Sequence, residues 1–480
     1  QNTNYMNKIV IIIMLLPGLT AQPQPAQVQP AQPQPAQAQS VQAQPTQAQP
    51  TQAQPVQTQP VQPQPAQQVQ PAQAQPLLRL DSILTVIARS HPALRSSDAL
   101  ARSLDEAAKG ARNWEAPQVS TGWWMTPYDP SLWKRQGDGS PGTGQYMVSA
   151  EQQFPNRRKQ EADEAYMQGM SAVERARKGA TENELYAAAR RMYYQWVVAE
   201  HRLLVLDEDG KLLDFMIRDA ELRYKNNLGK IGVYYKAKAE LGNLAGRRIG
   251  WENTIEQARI ALNTLMDRDK GMVFSVDTAL GSSAAEPLAL SASLVAPMDS
   301  AALVENRSDI RAVGERIRLA GLEQTAERAK LRPEFGVRYD HMFGFGGTPM
   351  EYTLMATVRL PMASWSSKAS KANVASLKWK AQSLEEERDA MVNEATGAAY
   401  GLQRALDAKR RQVKVLAEQV LPALRKNFQT LELAYEQNTE ELLSLYDAWK
   451  TLDDTQLEYW DDMEQILLMQ VELKRVLEIK

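Results

Sequence analysis

The chain has 480 residues, 43% of them hydrophobic and 23% charged, with a formal net charge of −2 and a pI near 6.2. That length allows two to four domains, and the charge balance builds no basic face for a nucleic-acid partner. Cysteine is absent, which excludes disulfides, thiolate metal ligands and cysteine nucleophiles, and His91, His201 and His341 are too far apart to share a helix face.

In chain order, Met6-Asn7-Lys8 precedes an apolar run, Ile9 to Ala21, that breaks at Pro17-Gly18. This predicts a secretory signal peptide over residues 1–21, cleaved after Ala21, because the run falls short of the roughly 20 residues of a spanning helix. Residues 22–76 are almost pure Pro, Gln and Ala. Such a segment cannot bury a core and is expected to be a disordered, partly polyproline-II spacer.

The remainder reads as a duplication. Residues 77–270 form a first repeat, the Gly/Ser/Ala/Pro-rich residues 271–297 a connection, and residues 298–480 a second repeat. HPALR from His91 aligns with RSDIR from Arg307, PQVST from Pro117 with PEFGV from Pro333, and VSAEQQFP from Val148 with LMATVRLP from Leu354. LRYKNN from Leu222 aligns with LAYEQN from Leu433. Four blocks in one order point to an internal repeat.

Each half predicts a helix (80–113; 300–331) and two strands (119–125 and 146–154; 335–343 and 352–360). A helical stretch then runs to an Asn-containing turn, and another helix returns. The strands alternate. Tyr352, Leu354, Ala356, Val358 and Leu360 share one face, while Thr353, Met355, Thr357 and Arg359 share the other. About nine residues with one apolar face suit a tilted membrane strand, and four strands are too few to close a barrel alone. From Asn156 to Asn227 the helix extends roughly 100 Å, with leucines at three- and four-residue steps that fit antiparallel coiled coils.

Enzyme signatures are missing: there is no phosphate loop, GxSxG elbow or HExxH. Met342, Met350, Met355 and Met362 cluster in sequence near His341, a soft-donor flavour that suits Cu(I)-like ions. No paired His or Cys ligands accompany them, so no metal site or cofactor is expected.

The motifs RSDIRAVGERIRLAGLEQTAERAKLRPEFGV (Arg307–Val337), HPALRSSDA, VRLPMASWSSKASKANV (Val358–Val374) and LAYEQNTEELLSLYDAWKTL (Leu433–Leu452) resemble the TolC-type outer-membrane factor family, in flavour its heavy-metal efflux branch. The resemblance spans Leu77 to the C-terminus. It implies an α+β fold: a homotrimer whose twelve strands, four per chain, form one barrel in outer-membrane lipid, continued by an α-helical periplasmic tunnel. The proline after each second strand would end the ladder where the chain turns into the tunnel. The implied role is exit duct of a tripartite efflux system, with a periplasmic adaptor and an inner-membrane RND-type pump as partners. A type I secretion duct, a drug efflux duct and a trimeric coiled-coil scaffold stay open as alternatives.

Glu151, Arg338, Asp340, Thr353, Thr357 and Arg359 would then line the barrel lumen. Asn227, Gly229, Asn438 and Thr439 would form the tip turns that meet the adaptor. Of the family's two gate acids, Asp447 keeps one and Ser444 replaces the other. Val233 and Lys236 stand at the equivalent first-repeat positions, and Glu440 replaces a latch arginine. The loop Thr126–Gln145 is longer than in the family and is expected to be extracellular.

Overall fold

The computed structural model describes residues 77–227, 231–278 and 300–479. The expected signal peptide and spacer, Gly229 and most of the connecting segment lie outside them.

The first half opens with a two-residue strand β1 (Leu77–Leu78) and helices α1 (Leu80–Ser90) and α2 (Pro92–Lys109). One helix was expected over 80–113. The chain instead breaks at His91, because Pro92 has no N–H to continue the ladder and starts a new helix at its first position. His91 Nδ1 caps that helix, accepting from Ala93 N–H at 3.2 Å. Strands β2 (Gln118–Trp124) and β3 (Gln145–Phe154) follow, then α3 (Arg157–Lys225) and α4 (Ile231–Leu265). Asn156 caps α3 through Oδ1, which accepts from Arg158 N–H at 3.0 Å. At 69 residues, α3 is about 100 Å long.

Strand β4 (Ser275–Val276) pairs in parallel with β1. Residues 271–278, read above as connector, thus lie against the first repeat: Phe274 and Val276 pack with Ile83, Ile87, Trp196 and Leu262 in one core.

The second half repeats the order: α5 (Ser300–Asn306), α6 (Ser308–Ala329), β5 (Glu334–Gly344), β6 (Glu351–Arg359) and α7 (Ser364–Val415). A single π-turn, Leu416–Val420, leads into α8 (Leu421–Glu436), and α9 (Leu442–Leu477) returns. The π-turn sits just before Pro422, whose missing N–H and bulky ring force one widened turn. Gly179 of α3 allows a close approach, since a Cβ there would collide with Ser308 at the start of α6.

The four long strands form one antiparallel sheet in the order β2-β3-β5-β6. The joint between the halves is β3–β5, running from Gln145 opposite Gly344 to Phe154 opposite Phe335. β2 meets β3 with Gln118 opposite Glu151, and β5 meets β6 with Glu334 opposite Arg359. Relative to the matched sequence blocks, the first hairpin is slid by two residues. A two-residue slide preserves which face each side chain takes. Among the described residues, the outer edges of β2 and β6 have no strand partner.

Candidate functional site

Two regions carry chemistry: the sheet and the far end of the coils. On the sheet, the face read as apolar stands open to solvent, with Tyr352 72% and Leu354 66% exposed. The opposite face is polar and crowded. Ser149 and Asp340 are only 2% and 3% exposed there. Arg338 Nε donates to Asp340 Oδ1 at 2.9 Å, and Glu151, its cross-strand partner, accepts from Gln153 Nε2 at 2.6 Å. Thr353 lies opposite Asp340 and Thr357 opposite Gly336. Arg359 donates to Glu334 at 3.1 Å, and Glu334 also binds Lys159 of α3 at 2.8 Å, tying the sheet to the coil. All six residues expected in the lumen therefore share one face.

The methionines do not converge. Met342 lies opposite Met147 on the polar face, and Met355 lies opposite Arg338. His341 falls on the other face, beside Phe343, and Met350 and Met362 are exposed outside the strands.

At the far end, Asn227 and Asn438 make the turns with φ of +57° and +58°. Asparagine tolerates this left-handed conformation better than most residues. Thr439 N–H and its hydroxyl both donate to Ala434 O at 2.9 Å. Arg223 joins the two turns, donating to Asn438 Oδ1 at 3.2 Å and lying 4.4 Å from the Tyr435 ring centre. A cavity of about 560 Å³ opens there, with Arg223, Asn227, Val233, Asn438 and Glu440 in its wall.

Lys236 Nζ lies 3.8 Å from Asp447 Oδ1 and 5.7 Å from the Tyr446 ring centre. Asp447 and Lys236 are thus brought together across α4 and α9. Ser444 sits in the first turn of α9, its N–H bound to Glu441 O at 3.1 Å.

Above the tip lies a charged cluster. As sequence, the acidic pairs Asp453-Asp454 and Asp461-Asp462 read as solvated helix faces, but Asp453 and Asp462 are buried and each pair keeps one exposed member, because the two acids of each pair leave α9 in different directions. Lys450 donates to Glu240 and Asp454, both at 2.8 Å, and Arg247 donates to Asp453 at 3.2 Å. Burial works against the charge of Lys450, but the hydrogen bonds to Asp454 and Glu240 outweigh it and hold the ammonium above its ordinary range. Burial raises Glu240, and the bonds from Lys450 and Asn243 more than reverse that. Among the described residues, Asp209 accepts only from Trp449 Nε1, at 2.7 Å. Burial pushes it up to about 7, with the Trp449 bond pulling down and the Asp453 charge pushing up. A signal existed in the sequence: Asp209 interrupts the apolar stripe Leu206, Leu213, Met216.

No protein-family model matches the sequence, and no curated protein does. Solved structures do match. The outer-membrane channel OprN is 16% identical, with 83% of this chain and 89% of that one covered at a TM-score of 0.64. The fold is that of the TolC-type outer-membrane factors. CusC, whose structures concern transmembrane channel formation, is 13% identical over 87% of this chain and 98% of its own, with a TM-score of 0.65. The outer-membrane protein VceC of Vibrio cholerae is 14% identical, with 83% and 95% covered and a TM-score of 0.62. The sheet and the coiled tip lie at opposite ends of α3, which runs from Arg157, just after β3, to Lys225, just before the Asn227 turn.

Proposed function

We propose that the chain is an outer-membrane exit duct of a tripartite efflux system. One observation carries the reading: a four-stranded sheet with an uncovered apolar face and two unpaired edges runs directly into helices about 100 Å long. Unpaired edges are not tolerated in lipid, so the sheet demands closure by further copies. Three copies supply twelve strands, enough for a barrel with an open lumen lined by the Arg338–Asp340 face. The likeness to the outer-membrane channel OprN and to CusC, whose structures concern transmembrane channel formation, supports the same role. The duct is passive and spans the outer membrane with a periplasmic extension. The tip around Asn227 and Asn438 meets a periplasmic adaptor, which in turn links it to an inner-membrane pump.

The in-chain joint supplies the geometry for a test. Phe154 faces Phe335 across β3–β5. The matched residues are Leu360 after β6 and Val119 in β2. Since the chain lacks cysteine, Val119→Cys with Leu360→Cys should give disulfide-linked trimers that conduct in planar bilayers. Val119→Cys with Arg359→Cys, on opposite faces, should not cross-link. A conducting monomer, or a trimer without conductance, overturns the reading.

A further inference from the structure

Behind the tip, α3, α4 and α9 enclose four carboxylates and two cations. Lys450 and Arg247 direct their hydrogen bonds to Glu240, Asp453 and Asp454. Asp209, only 7% exposed, receives neither cation, and its donor is the Trp449 indole. Asp453 is fully buried, and both its cations approach Oδ2. Asp209 Oδ2 and Asp453 Oδ1 are buried with no donor among the described residues. Trp449, which holds Asp209, stands four residues before Asp453 on α9, one helical turn away, and the Asp453 charge acts on Asp209.

Two ionised carboxylates in contact repel strongly in a poorly solvated site, and one of the pair keeps its proton. A single proton converts that repulsion into a short O–H···O⁻ bond and satisfies both orphan oxygens. The remaining charged neighbours do not supply a substitute. Glu208 on α3 adds negative charge. Arg425 on α8 lines the open groove beside Glu208 and His201.

We propose that Asp209 and Asp453 form a proton-binding site joining the two halves of the chain, and that release of the proton loosens the α3–α9 contact behind the narrow end of the duct. The gating half of this inference rests on the duct reading; the proton site does not. The position suits the role. Asp453 lies six residues, rather less than two turns, beyond Asp447 on α9, and Asp209 sits in the stripe that packs Leu206, Leu213 and Met216 against Leu445 and Trp449. Burial of Asp209 pushes it up to about 7, so the proton exchanges in the neutral range. With the proton bound, the helices are bridged. Without it, two like charges face each other, and the contact relaxes until water reaches them.

The full-length protein in detergent, followed by infrared difference spectroscopy from about pH 5.5 to about pH 8.5, should lose one protonated-carboxyl band with a midpoint near neutrality. Asp209→Asn should abolish that band. Trp449→Phe should move its midpoint to higher pH, because the indole N–H stabilises the ionised form. In bilayers the open fraction should rise about tenfold over the same range and stay flat in Asp209→Asn. A band that survives Asp209→Asn, a midpoint indifferent to Trp449→Phe, or a response abolished by a chelator, which would mean a bound divalent cation, overturns the proton site. A normal band with pH-independent conductance overturns the gating step. Absence of current at every pH, with a normal band, tells against the duct reading alone.

Discussion

Replacing Leu354 by arginine tests whether the exposed sheet face meets lipid. Strand β6 has nine residues, and Leu354 is the fourth, one residue from its centre. At about 3.3 Å per residue and a tilt near 40°, the strand stands roughly 23 Å tall, close to the apolar band of outer-membrane barrels. Leu354 then lies near the bilayer midplane, where arginine on the lipid face costs about 2–4 kcal/mol. Three copies would lose about 6–12 kcal/mol per trimer. The neighbouring substitution Thr353→Arg places the same charge on the polar face, opposite Asp340. Its cost should be small, since water and a carboxylate receive it. Urea titration of protein folded into vesicles, with trimer bands followed on semi-native gels, separates the two. Equal effects of Leu354→Arg and Thr353→Arg, or the reverse order, would refute the assignment of faces.

Asp447→Asn should lower cation preference and weaken block by trivalent cations, whereas Lys236→Gln should raise cation preference, because the two groups lie 3.8 Å apart. Reversal potentials under a salt gradient measure both, and unchanged values would place the pair off the pore. At Asn438, with φ of +58°, substitution by Val should cost about 1–2 kcal/mol and substitution by Gly almost nothing, as read from urea melts. Two carboxylates should shape the pH–stability curve in opposite ways. Asp209 keeps its proton in the folded state after the unfolded chain has released it, so stability declines from about pH 4 to about pH 7, and Asp209→Asn removes that decline. Glu472 is held below its ordinary 4.5 chiefly by the Arg475 hydrogen bond. Its contribution is present above that value and disappears as pH falls through the lower folded value, so Arg475→Ala should flatten the acid limb of thermal melts.

The strands were legible because period-two alternation is local. All four were placed within a residue of their observed bounds, and the shared face of Glu151, Arg338 and Asp340 follows from that alternation alone. The 69-residue α3 was legible from its leucine spacing and lack of proline. The break at His91 was missed although Pro92 announced it, because the apolar stripe continues across it. The buried cluster was hidden for a different reason. Asp209 and Trp449 are 240 positions apart, as the hydrogen bond between them spans two repeats. No local pattern pairs an acid on one helix with an indole on another. The methionines misled in the opposite sense: of these neighbours in sequence, only Met342 and Met355 lie on strands, both on the polar face, while His341 turns to the other face and Met350 and Met362 fall outside the strands.

The bare edges of β2 and β6 make each subunit's fate collective. On the proposed duct reading, a lone copy would carry two rows of amides and carbonyls with no partner among the described residues, and it could not settle in a bilayer before its companions arrive. Barrel formation should therefore depend steeply on subunit supply. It should also be vulnerable to poisoning: if half of the copies in a cell carried a damaged β6 edge, random mixing would leave only about one ring in eight intact. A lesion confined to one edge strand would behave as a dominant trait, while an equally severe lesion within the coils of a copy that never reaches the membrane would be recessive.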